Sequence, residues 1–202
     1  MIARVETWPL WRRVALVALA LSGVIGWMVA DRIRLLRTGT EVVLNIRPID
    51  PRDLFRGHYV RLFYPEISMI PPAGLTGLPA TRAPNAIALR KGARIYVVLA
   101  PTDGPYWRRA RAGLRPPQTI PPGHVLLIGR AGRAVRHLQP ALPVTYGIER
   151  YYAPQARARA LERRLAGRTA RTAVILRVSP SGRAAIAGLM LDGKRLLEEP
   201  LF

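Results

Sequence analysis

The distribution of apolar residues divides the chain into a short N-terminal part and a longer remainder. Residues Val14–Ala30 form 17 consecutive positions without a charged side chain. As a helix, this run would span about 25 Å, near the lower limit for crossing the core of a bilayer. Arginines lie on both sides of it, and tryptophans lie near its ends, where membrane interfaces favour them. The pattern predicts one transmembrane helix within an N-terminal region, residues 1–37, followed by one domain, residues 38–202.

A cleaved signal peptide is the main alternative interpretation of this apolar run. Ala18-Leu19-Ala20 has the small-x-small form of a cleavage site, but cleavage there would leave a long apolar segment on the mature protein. Cleavage after Ala30 would place Met28 where a small residue is needed. The sequence therefore favours an uncleaved signal-anchor. Three arginines precede the run and three follow it closely, so charge does not determine its orientation.

Beyond residue 38 the pattern is typical of short β-strands bounded by proline and glycine. The predicted extended segments are Glu41–Ile49, His58–Tyr64, Arg94–Ala100, His124–Arg130, Pro143–Tyr152 and a hairpin of Thr172–Val178 with Arg183–Leu191. One amphipathic helix is predicted at Pro154–Gly167, because its apolar residues recur at helical spacing. The proline- and glycine-rich segment Pro71–Pro84 is predicted to be an exposed loop. The predicted fold class is mainly β (α+β), an antiparallel sheet or partly closed barrel.

Composition excludes some classes of chemistry. The chain of 202 residues has no cysteine, which excludes disulfides, thiolate metal sites and cysteine nucleophiles. It carries 32 basic and 12 acidic residues, for a formal net charge of +20. Among the basic residues only Lys91 and Lys194 are lysines, which together with abundant Ala, Gly and Pro indicates a compositional bias. We therefore favour a solvated basic surface over binding of anionic lipid or nucleic acid.

The sequence contains no catalytic motif with the spacing that its chemistry needs. The three histidines are not spaced as metal ligands, and no serine lies in a G-x-S-x-G turn. A lysine-assisted serine peptidase would need a lysine held beside Ser68, but both lysines lie next to glycine in turn-like contexts. We expect no metal and no cofactor. An enzyme whose site is assembled only by the fold stays open as an alternative.

Two segments of the chain resemble the motifs of a known family. The first is Gly57-His58-Tyr59-Val60-Arg61-Leu62-Phe63-Tyr64, preceded by Asp50-Pro51-Arg52-Asp53-Leu54-Phe55-Arg56, and the second is Tyr146-Gly147-Ile148-Glu149-Arg150-Tyr151-Tyr152. They resemble the defining and downstream motifs of the bacterial GDYXXLXY family, with His58 in place of the family's aspartate. The resemblance implies one N-terminal anchor, an extracytoplasmic domain and frequent association with polytopic membrane proteins. It implies no particular activity.

The resemblance and the absence of catalytic spacing lead to one functional prediction. The chain is predicted to be a non-catalytic module on the outer side of the bacterial cytoplasmic (inner) membrane, where it binds or stabilises a polytopic membrane protein. The alternative is a membrane-anchored, peptidase-like hydrolase. The candidate motif and partner-binding residues are Asp50, Arg52, Asp53, Arg56, Gly57, His58, Tyr59, Leu62, Tyr64, Tyr146, Gly147, Glu149 and Arg150.

Several of these residues have a competing structural interpretation. Strand alternation places Leu62 and Tyr64 on one face, which we expect to be the core, and the buried hydroxyl of Tyr64 needs a hydrogen-bond partner. Asp50 and Asp53 are expected to organise their loop through bonds to nearby backbone N–H groups. We expect the two motif segments to lie together at one end of the sheet, with the loop Asp50–Arg56 nearby.

Overall fold

The computed structural model describes residues 9–48, 60–78, 87–136, 141–151 and 172–198. Within them, one long helix precedes a domain of short strands. Helix α1 is Leu10–Thr38, and a 3-10 turn, η1, is Pro72–Gly74. The strands are β1 Thr40–Asn45, β2 Arg47–Pro48, β3 Val60–Phe63, β4 Met69–Ile70, β5 Leu75–Thr76, β6 Ile87–Leu89, β7 Arg94–Pro101, β8 Trp107–Gly113, β9 Val125–Ala131, β10 Val135–Arg136, β11 Leu142–Thr145, β12 Arg150–Tyr151, β13 Thr172–Val178, β14 Ala184–Leu191 and β15 Lys194–Glu198. The predicted helix Pro154–Gly167 lies outside the described residues.

Helix α1 contains the predicted apolar run and continues two turns beyond it. Its 29 residues span roughly 43 Å at the usual helical rise. The most apolar part of the helix has a mean hydropathy of 2.0, and none of that part is buried. The helix is therefore long and apolar enough to cross a membrane. Leu35 is its one buried residue, and it lies in the last turns, where α1 contacts β13 and β14.

The strands form two main sheets that curl toward each other. One sheet has the antiparallel order β1-β13-β14-β15. The other has the order β4-β11-β9-β7-β8-β5, which is antiparallel except for the β5–β8 pair. Contacts of β1 with β8 and of β13 with β9 join the two sheets into a nearly closed barrel. The smaller sheets β12-β3-β2 and β10-β6 complete the described part. The predicted fold class, mainly β with a partly closed barrel, is confirmed.

Apolar side chains are buried on both faces of the sheet β1-β13-β14-β15. Val42 and Leu44 point into the barrel interior, where the main core lies, whereas Val43 belongs to a second cluster on the opposite face. Ile175 of β13 lies in that second cluster as well. Strands that are buried on both faces need apolar residues at consecutive positions rather than at alternate ones. This explains the continuous apolar runs of β1 and β13.

Two segments differ from the expectations drawn from the sequence. In the predicted exposed loop Pro71–Pro84, five of residues 71–78 are exposed as expected, but Leu75 is only 6% exposed and β5 pairs in parallel with β8. Strand β15 was not predicted. It follows the two-residue turn Asp192-Gly193, in which both residues have positive φ, of 46° and 79°. Asp-Gly is the dipeptide typical of such a hairpin turn, so the signal was present in the sequence.

Candidate functional site

The end of α1 is fixed to the domain by specific contacts. The Arg183 guanidinium donates two hydrogen bonds to the Asp31 carboxylate, at 2.6 and 2.9 Å. The Gly39 N–H donates to the Leu35 carbonyl at 2.9 Å and ends the helix. A Cβ at Gly39 would lie 2.6 Å from that carbonyl oxygen and 3.0 Å from the Cβ of Arg177, so only glycine allows this approach. Because Asp31 directly follows the apolar run, the β13–β14 turn lies beside the end of that run.

The described parts of the two motif segments, residues 60–64 and 146–151, lie together, which confirms the expected contact between them. Strand β3 pairs with β12, and Arg61 lies opposite Arg150. The Tyr64 hydroxyl donates to the Ile148 carbonyl at 2.7 Å, and its ring is fully buried. One further backbone hydrogen bond joins the segments, from the Leu62 N–H to the Glu149 carbonyl at 2.9 Å. Leu62 and Tyr64 therefore have the core positions that strand alternation predicts.

The Glu149 carboxylate closes the turn between β11 and β12. Its Oε1 accepts a hydrogen bond from the Tyr146 N–H, and its Oε2 accepts one from the Gly147 N–H at 3.0 Å. Gly147 has a φ of 79°, a conformation that strains residues with a Cβ. Hydrogen bonds to an ionised acceptor are stronger than neutral ones. Glu149 thus stabilises its own turn through two hydrogen bonds to the backbone.

Tyr146 occupies space that a glycine leaves open in β9. A Cβ at Gly129 would lie 2.6 Å from Cε1 of Tyr146 and 2.5 Å from Cγ1 of Val144. The Tyr146 hydroxyl donates to the Ile67 carbonyl at 2.9 Å. Burial raises the pKa of both Tyr146 and Tyr64, because desolvation disfavours the phenolate. Both side chains are neutral hydrogen-bond donors near pH 7.

A groove of about 630 Å³ opens beside this unit. It is lined by Ile128, Arg130, Thr145, Tyr146, Gly147, Glu149 and Arg150. Arg130 and Arg150 are both exposed. The Ile128 N–H donates to the Gly182 carbonyl at 2.9 Å, so one side of the groove borders the β13–β14 turn. The groove is a concave, basic surface between the second motif segment and the turn that holds α1.

The structure brings some of the predicted candidate residues together. Tyr146, Gly147, Glu149 and Arg150 line the groove, and Leu62 and Tyr64 support it from the core. The other candidates lie outside the described residues: Asp50, Arg52, Asp53, Arg56, Gly57, His58 and Tyr59. Their roles stay predictions. Ile128 and Arg130 were missed, although their alternate positions in β9 already placed them on one face of a predicted strand.

Ser68, the serine considered as a peptidase nucleophile, is hydrogen-bonded to the backbone of Tyr64. Ser68 is only 8% exposed, and its Oγ accepts a hydrogen bond from the Tyr64 N–H at 3.0 Å. The Ser68 N–H in turn donates to the Tyr64 carbonyl at 2.8 Å, so the two residues define the turn after β3. Within the described ranges, no group of three or more His, Asp or Glu side chains is arranged to hold a metal ion.

A comparison with protein families extends the resemblance seen in the two motif segments. The sequence model of the family described as GDYXXLXY protein matches residues 21–189. This range includes part of α1, both motif segments and every residue that lines the groove. No curated protein and no solved structure matches the chain.

Proposed function

The chain belongs to the GDYXXLXY family, and we propose that it is a non-catalytic module of the bacterial inner membrane that binds and supports a polytopic membrane protein. In this proposal α1 is an uncleaved signal-anchor, and the domain lies outside the cytoplasm. The observation that carries the proposal is the junction between α1 and the domain. Gly39 alone separates the last residue of the helix from the first residue of β1. The bond between Asp31 and Arg183 then holds the helix against the β13–β14 turn.

Such a junction suits a subunit better than a tethered enzyme. An enzyme that acts on diffusing substrates gains reach from a flexible linker, whose mean span grows with the square root of its length. A one-residue junction gives no such reach. It holds the domain at a constant height and orientation, while the anchor confines domain and partner to the same bilayer and so raises their effective concentration. A weak contact then suffices for stable association.

The membrane part of α1 offers a surface for a helix of the partner. Its large side chains are exposed, and nothing lies within 4 Å of a Cβ placed at Gly26. Small residues recur at four-residue intervals at Ala18, Ser22 and Gly26. This spacing lets two transmembrane helices approach closely. The loop Asp50–Arg56 and the segment Pro71–Pro84 remain the predicted contact surfaces of the domain.

Purification of the intact chain in mild detergent tests the proposal. We expect a multi-span membrane protein to be recovered with it. Gly26→Leu should weaken that recovery because it adds bulk to the small-residue face, whereas Ala20→Leu adds similar bulk to the opposite face and should not. Recovery of a lone monomer in several mild detergents would contradict the proposal. Peptide hydrolysis that is lost in His58→Ala would favour the hydrolase instead.

The side of the membrane on which the domain lies can be tested separately. The chain has no cysteine, so one cysteine introduced at exposed Thr119 reports on its own compartment. We expect a membrane-impermeant maleimide to label Thr119→Cys in spheroplasts. Labelling only after lysis would place the domain in the cytoplasm and refute the proposed topology.

A further inference from the structure

One arginine lies directly opposite another arginine beside the groove. Arg130 of β9 is opposite Arg94 of β7. Residues directly opposite on neighbouring strands share a face, with Cβ atoms about 5 Å apart, and like charges at such positions are destabilising. Arg130 and Arg150 also line the groove. One repulsive pair therefore lies beside this concave surface.

In the sheet that contains β1, two arginines share one carboxylate. Arg177 lies opposite Glu41 and forms an ion pair with it at 3.1 Å, and Arg195 reaches the same carboxylate. Within the described part of the chain, neither Arg94 nor Arg130 forms an ion pair. The acid in the groove, Glu149, uses both oxygens to hold its own turn. Arg94 and Arg130 thus lack the carboxylate that Arg177 and Arg195 share.

The groove also lies close to the end of the membrane span. Its Ile128 is hydrogen-bonded to Gly182, and a Cβ at Gly182 would lie 2.5 Å from the Ile128 side chain. The next residue, Arg183, holds Asp31 at the end of the apolar run. Arg130 is two residues from Ile128 on the same face of β9, roughly 7 Å away. These contacts place the groove near the headgroup layer, which adds about 5–8 Å on each side of the bilayer core.

We propose that the groove binds the phosphate headgroup of an anionic membrane lipid, with Arg130 and Arg150 as its ligands. The planar guanidinium group binds phosphate oxygens in a bidentate manner. A phosphate bound by Arg130 would offset the repulsion between Arg130 and Arg94. The source is a lipid because α1 keeps the groove beside a surface where anionic headgroups are concentrated. This inference requires that α1 crosses the membrane, but it does not require the protein partner proposed above.

Thermal unfolding of the intact chain in neutral detergent micelles tests the inference. Added phosphatidylglycerol should raise the midpoint several-fold more than the same amount of phosphatidylcholine does, because a ligand that binds the folded state stabilises it. Arg130→Glu should unfold at or above the wild-type temperature without lipid, since a carboxylate would then face Arg94. The same variant should lose the rise caused by phosphatidylglycerol. Arg108→Glu is the matched control, because exposed Arg108 lies opposite Ala100, outside the groove, and should keep the rise.

Several results would overturn the inference. An equal rise with both lipids, or an undiminished rise in Arg130→Glu, would show that the groove does not bind the anionic headgroup. An equal rise with inorganic phosphate would indicate a site for soluble anions, and an equal rise with a single-stranded oligonucleotide would indicate a nucleic-acid surface. If Arg130→Glu does not fold, the same lipid titration is made with Arg130→Gln, and an undiminished rise in that variant overturns the inference. Failure to recover a protein partner would leave this lipid response intact, so the two proposals fail separately.

Discussion

Replacing Tyr64 with phenylalanine tests how the two motif segments are held together. The ring is fully buried and phenylalanine keeps its shape, so the change removes only the hydroxyl that donates to the Ile148 carbonyl at 2.7 Å. A buried acceptor left without its donor costs about 1–3 kcal/mol. For a domain of this size, each kcal/mol lowers the unfolding midpoint by roughly 2–4 °C. We therefore expect Tyr64→Phe to lower the midpoint by roughly 2–12 °C.

The assay is thermal unfolding of the intact chain in detergent, monitored by circular dichroism. Tyr96→Phe is the matched control, because it removes the same atom from a partly exposed ring of β7 and should change stability by less than about 0.5 kcal/mol. Hydrogen exchange gives a second readout. The amide of Leu62, which donates to the Glu149 carbonyl, should exchange faster in Tyr64→Phe. Equal midpoints for the two variants would refute the role assigned to this hydrogen bond.

Three further predictions concern packing, pH and the anchor. Gly129→Ala should destabilise the domain by about 1–3 kcal/mol, because the added Cβ would lie 2.6 Å from the Tyr146 ring. Gly104→Ala is the control in the same unfolding assay, because its Cβ would meet no atom closer than 3.9 Å. Above pH 10 the free energy of unfolding should fall, because the unfolded chain loses its tyrosine protons near pH 10 while burial raises the pKa of Tyr64 and Tyr146 in the folded chain. The expected fall is up to about 1.4 kcal/mol per pH unit for each of the two tyrosines. An unchanged slope in Tyr64→Phe, measured by urea denaturation across this pH range, would contradict that assignment. The apolar run Val14–Ala30 should keep the full-length protein in the membrane pellet after an alkaline wash, and its release would show a peripheral protein.

The proposed lipid site illustrates a limit of composition as a guide. A net charge of +20 spread over 202 residues is consistent with a general bias toward arginine, and this led us to favour a solvated surface. The register of the strands separates two kinds of arginine. Arg177 has a carboxylate opposite it, whereas Arg130 has another arginine opposite it. Composition counts charges, but their effect depends on which side chains the sheet places about 5 Å apart.

The sequence alone determined the features that depend on neighbours along the chain. The unbroken apolar run predicts helix α1, and strand alternation predicts that Leu62 and Tyr64 point into the core, because helical and strand periodicity are local properties. The β13–β14 hairpin follows in the same way from two apolar segments joined by a short polar turn. The two motif segments could be identified from their residues, but which carbonyl would accept the Tyr64 hydroxyl could not.

The tertiary structure decided which distant residues meet. Asp31 and Arg183 are 152 positions apart, and Gly129 and Tyr146 belong to different strands, so no local pattern relates them. The groove exists only because strand pairing carries the second motif segment alongside β9 and sets the β13–β14 turn against Ile128. Such contacts depend on sheet order and register, which are set by the packing of the whole core rather than by any one segment. For that reason helix α1 was predictable from sequence, and the groove that strand pairing forms near its end was not.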